Sequence, residues 1–229
     1  MDSLLQLLFP ASCLICESSG QSLCQDCDSK IIRNPMAFKV ESTNVHSAAF
    51  YGDELARVIL LAKEKNNLAA RNFLAELVVH SFMGATRELK GSHTILLIPI
   101  PSRSVANRKR GFRHSHLLAK RVASLIERHS SHPVTVCELL KVNRRTADQS
   151  GLNRAQRSEN LSGAFSFQGS SQSKGGVGAG ELVFLIDDLV TSGISIREGL
   201  RALKEAGINP FGVLSAGVSP RVFPNTIGD

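Results

Sequence analysis

The sequence predicts an α/β protein: a mostly parallel, twisted sheet flanked by helices, preceded by a small cysteine module. Three observations carry that expectation. Leu182 to Ile186 and Thr94 to Ile98 are uninterrupted apolar runs of strand length, the pattern of strands buried on both faces of a parallel sheet. Segments of helical period lie between and after them. Near the start, Cys13, Cys16, Cys24 and Cys27 form two CxxC pairs seven residues apart.

Taken in order, Met1 to Phe9 is apolar but lacks a basic n-region and is too short for a signal peptide, so it reads as a short amphipathic helix. The four cysteines can meet around one tetrahedral Zn²⁺. The competing arrangement is disulfides, but nothing in the chain suggests secretion, and reduced thiols are the rule in the cytosol. A span this short builds no core, so ligation of a structural zinc would supply its folding energy. Pro35 to Val45 reads as a linker or a first extended segment. Tyr51 to Lys65 has helical spacing through Leu55, Val58, Ile59 and Ala62. Asn66 and Asn67 break it, and a second helix is expected from Ala69 to Thr86.

The strand Thr94 to Ile98 runs into Pro99-Ile100-Pro101-Ser102-Arg103, where two prolines fix a rigid, extended exit. A basic run follows from Asn107 to Arg113, then a helix to about Arg128. His114 and His116 have no partner at ligand spacing and are expected at the surface. Cys137, in an apolar run, is expected to be a core thiol. Arg144 to Phe165 is long, polar and basic, with Gly151 and Gly163 as pivots. Such a segment is either a linker or a loop over a site. Gly169 to Gly180 is low in complexity and reads as a surface connection. After the run Leu182 to Ile186 come Asp187 and Asp188, then a turn, then a helix on Ile196, Leu200 and Leu203 that stops near Gly207. Phe211 to Val218 reads as a last strand.

No apolar run approaches the ~20 residues of a membrane span, and a cytoplasmic protein is expected. Net charge is +7 and unevenly placed: residues 101–160 hold 13 Lys/Arg against 4 Asp/Glu, a local +9. Such a concentration implies a polyanionic partner, either a pyrophosphate, a nucleotide or nucleic acid.

The chemistry concentrates at 187–195. In an open α/β sheet, ligands bind outside the carboxyl ends of the strands. A turn that opens a helix offers free amides and the positive end of the dipole to a phosphate. Thr191, Ser192 and Ser195 add hydroxyl donors, and Gly193 lets the backbone come close to the anion. The two carboxylates just before the turn suit a sugar diol. Together they describe a ribose 5-phosphate.

This stretch resembles the phosphoribosyl pyrophosphate (PRPP) motif of type I phosphoribosyltransferases: apolar strand, two acids, two apolar residues, Thr, Thr or Ser, Gly, any residue, Thr or Ser. The resemblance implies that family's fold, with Asp187 and Asp188 on the ribose hydroxyls. It places Thr191, Ser192, Gly193, Ile194 and Ser195 around the 5-phosphate, with Mg²⁺ carried on the pyrophosphate. Over nearly the whole chain the pattern is similar to the ComF (competence protein F) family of zinc-bearing phosphoribosyltransferase homologues. The similarity rests on the four cysteines after Phe9-Pro10, Tyr51 followed by Lys63, Pro99-x-Pro101, Arg110-Gly111-Phe112 and Arg145-Thr146-x-x-Gln149. It continues through Arg157-x-x-Asn160, Gly163-Ala164-Phe165 and the PRPP motif.

Two positions depart from the family pattern. Arg113-His114 stands where Asn-Gln is usual, and Glu64-Lys65-Asn66 where an aromatic and a glycine are usual. The resemblance implies a zinc module over 1–34 and a transferase domain over 45–219. It implies a pyrophosphate loop that includes Pro101 and Ser102. It also implies a flexible catalytic loop with Arg144, Arg145, Gln149, Arg154 and Arg157, of which Arg145 and Arg157 act with the two aspartates in catalysis. The expected activity is transfer of phosphoribosyl from PRPP to an unidentified acceptor with release of pyrophosphate. The alternative is a non-catalytic PRPP sensor, or a factor in DNA uptake that binds single-stranded DNA or a helicase-like partner.

Overall fold

A computed structural model describes residues 11–102, 110–143, 163–169 and 180–222. Among the described residues the first helix, α1 (Gln25–Ser29), belongs to the cysteine module; the helix expected at Met1 to Phe9 lies outside them. A hairpin follows, β1 (Arg33–Val40) and β2 (Thr43–Phe50), and then helices α2 (Asp53–Lys65) and α3 (Leu68–Thr86). Strand β3 (Ile95–Pro99), helix α4 (His114–His129) and strand β4 (Val134–Val136) come next. Two short strands, β5 (Leu140–Val142) and β6 (Phe165–Phe167), precede β7 (Leu182–Val190), α5 (Ile194–Glu205) and β8 (Gly212–Val218).

The main sheet has the order β1-β2-β8-β7-β3-β4, and β5 and β6 pair as a separate antiparallel ribbon. Every neighbour in the main sheet is parallel except β1 with β2. The mixed α/β class expected from the sequence is therefore the class observed. The segment read as a linker or first extended piece forms β1 and the start of β2. Pro35 sits where the β1–β2 register shifts, and an edge strand tolerates the missing N–H there. Asn66 and Asn67 do end one helix and start the next. Asn66 takes φ 52°, and the Asn67 side chain accepts from the Ala70 N–H at 2.9 Å.

Helices α2, α3 and α4 cover one face of the sheet, where Leu55, Val58, Leu74, Val78, Leu118 and Val122 pack on Phe184, Ile186 and Leu214. Helix α5 and the β5–β6 ribbon cover the other face, with Ile196, Leu200 and Leu203 on Val183, Leu185 and Val213. Strand alternation explains the division from Leu182 to Ile186: even-numbered residues face one layer and odd-numbered ones the other. At Gly217 a Cβ would lie 2.7 Å from Leu55 Cδ2. A side chain there would have to displace the end of Leu55 on α2, the helix that carries Lys63 to Asp188 of β7.

The ribbon is tied to α5 by one carboxylate. Glu198 is buried and its Oε2 accepts from the Gly163 N–H at 2.9 Å and the Ala164 N–H at 3.0 Å. Arg201 Nη2 lies 3.1 Å from the same oxygen and donates to the Phe165 carbonyl at 2.7 Å. Glu198→Ala would leave two amides without their acceptor and remove one of the carboxylates that Arg201 holds, the other being Glu205. The expected loss is about 2–3 kcal/mol, or roughly 5–10 °C in melting temperature for a chain of this size, measurable by differential scanning calorimetry.

Candidate functional site

Strand β3 continues through α4 to β4, at one edge of the sheet, and β7 continues through α5 to β8 in the opposite direction. The two connecting helices lie on opposite faces. The carboxyl ends of β3 and β7 therefore flank a topological switch point, where open α/β sheets hold their ligands. A cleft of about 360 Å³ opens there. Its lining brings together Lys63 of α2, Pro101 and Ser102 after β3, Phe165 of the ribbon, Asp187 and Asp188 of β7, and Thr191 and Ser195 of the following turn.

The sequence places the two acids after a strand that ends at Ile186. In the structure β7 runs on to Val190, and Asp187, Leu189 and Val190 are in register with Ser215, Gly217 and Val218 of β8. The reason is that β8 is long enough to keep pairing. As neighbours within a strand, the two acids point to opposite faces and meet different surroundings.

Asp188 is buried at 4% exposure. Its Oδ2 lies 3.1 Å from Lys63 Nζ and 3.1 Å from His114 Nε2. The imidazole sits close but off good hydrogen-bond alignment, and its Nδ1 has no partner among the described residues. Burial alone would raise the Asp188 carboxyl, but the His114 contact and the Lys63 charge outweigh it and hold the group well below the usual carboxylate range. Asp187 moves the other way: burial and the adjacent Asp188 charge push it well up. Burial works against Lys63, yet the charges of Asp188 and Asp187 raise it. One acid is thus held by Lys63 and His114, and the other faces the cleft and resists ionisation.

That asymmetry fixes the sign of two pH effects. Asp188 has a lowered folded value, so the stability it contributes is present above the unfolded carboxylate range and is lost as pH falls below it. Asp187 has a raised folded value, so it favours the fold at low pH and opposes it as pH rises through that value. Asp187→Asn is expected to raise the melting temperature at pH 8 by more than at pH 4. Asp188→Asn should lower it at pH 8. Thermal melts of both variants at the two pH values check this.

The turn after β7 is open at its backbone. Among the described residues, the amides of 191–196 have no backbone acceptor, and the first bond of α5 runs from the Arg197 N–H to the Gly193 carbonyl. Gly193 takes φ 69°, a conformation costly for any side chain with a Cβ. Thr191, Ser192 and Ser195 are exposed around it. The result is a set of unbonded donors at a helix start, an arrangement suited to an anion.

Several sequence expectations resolve here. The structure brings Pro101, Ser102, Asp187, Asp188, Thr191 and Ser195 into one cleft, with Ser192, Gly193 and Ile194 in the adjoining turn. Arg144, Arg145, Gln149, Arg154 and Arg157 lie outside the described residues. His114 is not at the surface: it is 1% exposed and in contact with Asp188. His116, also expected there, is only partly exposed, at 18% of its side chain. Cys137 is half-buried against the α5-side core, and burial raises its thiol. Lys63 and Glu198 were not singled out as site or anchor residues from residue pattern. Their signal was a charged side chain bordering or interrupting an apolar helical stripe. His114 likewise sits in phase with Leu118 and Val122.

Away from the cleft, the sulfur atoms of Cys13, Cys16, Cys24 and Cys27 lie within 4.8 Å of one another, so the group could hold one metal ion. All four are free thiols. Cys24 N–H points at Cys13 Sγ, 3.5 Å away. Burial opposes ionisation of Cys13, but backbone donors at Cys24, Cys16 and Ile15 outweigh it and bring it down to about 6. Burial and the neighbouring thiols push Cys27 up to about 12. The module is attached rather than free-standing, because Leu14 and Ile31 are buried in the same core as α2 and α3. Among the described residues, no helix is long and apolar enough to cross a membrane.

Comparison with protein-family models matches none, and comparison with curated proteins matches none. Among solved structures, an orotate phosphoribosyltransferase from Aeropyrum pernix is similar at a TM-score of 0.29 and 11% identity, over 83% of this chain and 88% of that one. A likeness that distant decides nothing about what this chain binds.

Proposed function

We propose that this chain is a phosphoribosyltransferase of the type I kind, related to the ComF group. In this reading it binds PRPP at the β3–β7 switch point and transfers the phosphoribosyl group to an acceptor with release of pyrophosphate. One observation supports this above the rest: an unbonded amide turn and a cleft-facing carboxylate adjoin each other at the carboxyl end of one strand. The 5-phosphate would sit on Thr191 to Ser195, and the ribose diol against Asp187. Asp188 would act mainly through its fixed charge, with Lys63 and His114 holding it in place.

Leaving-group departure from C1 builds positive charge on the ribose, which the fixed negative charge of Asp188 would stabilise. The exit after β3, with Pro101 and Ser102, would flank the pyrophosphate. Arg144, Arg145, Arg154 and Arg157, with Gln149, would supply its counter-charges and polar contacts. The two aspartates do not form a bare metal site, because Asp188 is already held by Lys63 and His114; Mg²⁺ would arrive on the pyrophosphate and help neutralise it. The four cysteines suit structural Zn²⁺, with all four positions filled by thiolate and none open for chemistry.

The reading as a single-strand DNA-binding or helicase-docking factor rested on concentrated basic charge. Among the described residues two of those cations are committed: Arg110 lies 3.0 Å from Glu64 and Arg113 2.5 Å from Glu138. No observation here favours that alternative over PRPP. Calorimetric titration with PRPP and Mg²⁺ tests the proposal. Binding that persists unchanged in the Asp187→Ala, Asp188→Ala double variant would contradict it.

A further inference from the structure

Part of the cleft lining comes from outside the main sheet. Val142, Ala164 and Phe165 line the cleft, and they belong to the β5–β6 ribbon or directly precede β6. The ribbon strands pair with each other and with no strand of the main sheet. Such a ribbon takes its position from whatever it is fastened to. Leu140, Ala164 and Phe165 pack with Ile196 and Leu200 of α5 in one apolar cluster, but apolar burial is non-directional. Directional contacts have to fix the ribbon's place on the helix.

Glu198 supplies them. It lies three residues beyond Ser195 of the cleft lining, on the same side of α5. Its Oε2 accepts from the Gly163 and Ala164 amides, which are charge-assisted bonds. The partner strand is joined at the same point. The Asn143 N–H donates to the Ala164 carbonyl at 2.8 Å, its Nδ2 donates to the Gly163 carbonyl at 2.6 Å, and Ser166 Oγ donates to its Oδ1 at 2.7 Å. Glu198 is only 7% exposed. A buried carboxylate with an arginine partner is weak evidence for stability, because a well-packed apolar side chain often serves the fold as well. What the carboxylate adds is a fixed place for the ribbon.

The two sides of the cleft are therefore referred to one rigid element. Helix α5 begins at the phosphate turn and carries Glu198 about 4.5 Å farther along its axis. Leu200 and Leu203, both fully buried, seat that helix on the sheet. We propose that Glu198 is a positioning residue for the sugar pyrophosphate: it holds Ala164 and Phe165 at a set distance from the turn, so that a ligand seated on Thr191 to Ser195 meets them beyond its 5-phosphate. The inference rests on the PRPP reading above. The 5-phosphate touches the turn alone, and its binding does not depend on the ribbon. The part of the ligand that carries the pyrophosphate lies farther along the cleft and does depend on it.

The test titrates the full chain calorimetrically with ribose 5-phosphate and, separately, with PRPP and Mg²⁺. Glu198→Ala is expected to leave ribose 5-phosphate affinity within about twofold and to weaken PRPP by more than about tenfold, since small misplacements in a site cost on that scale. Glu198→Asp draws the carboxylate back by one methylene; it carries the same expectation and stands in where the alanine variant does not fold. Glu198→Gln separates position from stability. Its single amide oxygen can accept from both N–H groups, as Oε2 does, but it offers Arg201 no charge. It should melt below the unmodified protein and still bind PRPP within about twofold. Equal effects of Glu198→Ala on the two ligands, including no effect on either, overturn the inference. So does a Glu198→Gln variant that loses as much PRPP affinity as Glu198→Ala. Failure of the unmodified protein to bind PRPP removes instead the reading on which the inference rests.

Discussion

Ser195→Asp is expected to weaken PRPP binding by more than about 100-fold while leaving the melting temperature unchanged or slightly higher. The two halves of this result have separate causes. Ser195 is exposed on the first turn of α5, where a carboxylate favours the helix dipole by about 0.3–1 kcal/mol. The same carboxylate would compete for the unbonded amides of 191–196 and oppose a phosphate dianion at contact distance. Like charges brought together in a binding site cost several kcal/mol, which is more than enough for the stated loss. Calorimetric titration beside a thermal melt separates loss of binding from loss of fold. Unchanged affinity in a well-folded Ser195→Asp protein would mean that the phosphate sits elsewhere.

Removal of the metal from the cysteine module should produce the largest effect on stability. Purified protein is expected to hold one Zn²⁺ per chain. Structural zinc on four thiolates contributes about 10–16 kcal/mol of apparent binding free energy at neutral pH, and a loop of this length has little else to fold it. Chelation, or Cys13→Ser, should therefore unfold residues near 11–30. It should also be felt beyond them, because Leu14 and Ile31 are part of the core that α2 and α3 close. A fall in melting temperature that tracks zinc content, with PRPP affinity largely retained by the surviving fold, is the predicted pattern. A metal-free protein that melts at the same temperature as the zinc-loaded protein would contradict it.

What the sequence revealed and what it hid follow from how far each signal reaches along the chain. The buried strands at Thr94–Ile98 and Leu182–Ile186 and the cysteine pairs are local patterns, and each was legible. So were the helix break at Asn66-Asn67 and the hydroxyl-rich turn. The β1–β2 hairpin was read only as a linker or an extended piece. Its burial alternates on an edge, and Pro35 interrupts the pattern. The continuation of β7 through Asp187 and Asp188 depends on β8, more than 20 residues away, and no local pattern shows it. His114 was placed at the surface because an isolated histidine says nothing about its partner. Only the fold brings it to Asp188 across 74 positions. Lys63 meets the same carboxylate across 125 positions. Residues of the site that act in pairs across such distances are invisible to spacing, and the opposite surroundings of two adjacent aspartates are a property of the strand, not of the dipeptide.

The most direct measurement is an amide-resolved NMR titration of the full chain with ribose 5-phosphate. Saturable shifts are expected, concentrated at the amides of Thr191 to Ile196, with a smaller set at Asp187 and Lys63. Shifts confined to the basic residues of 110–143, or none at the turn, would contradict it.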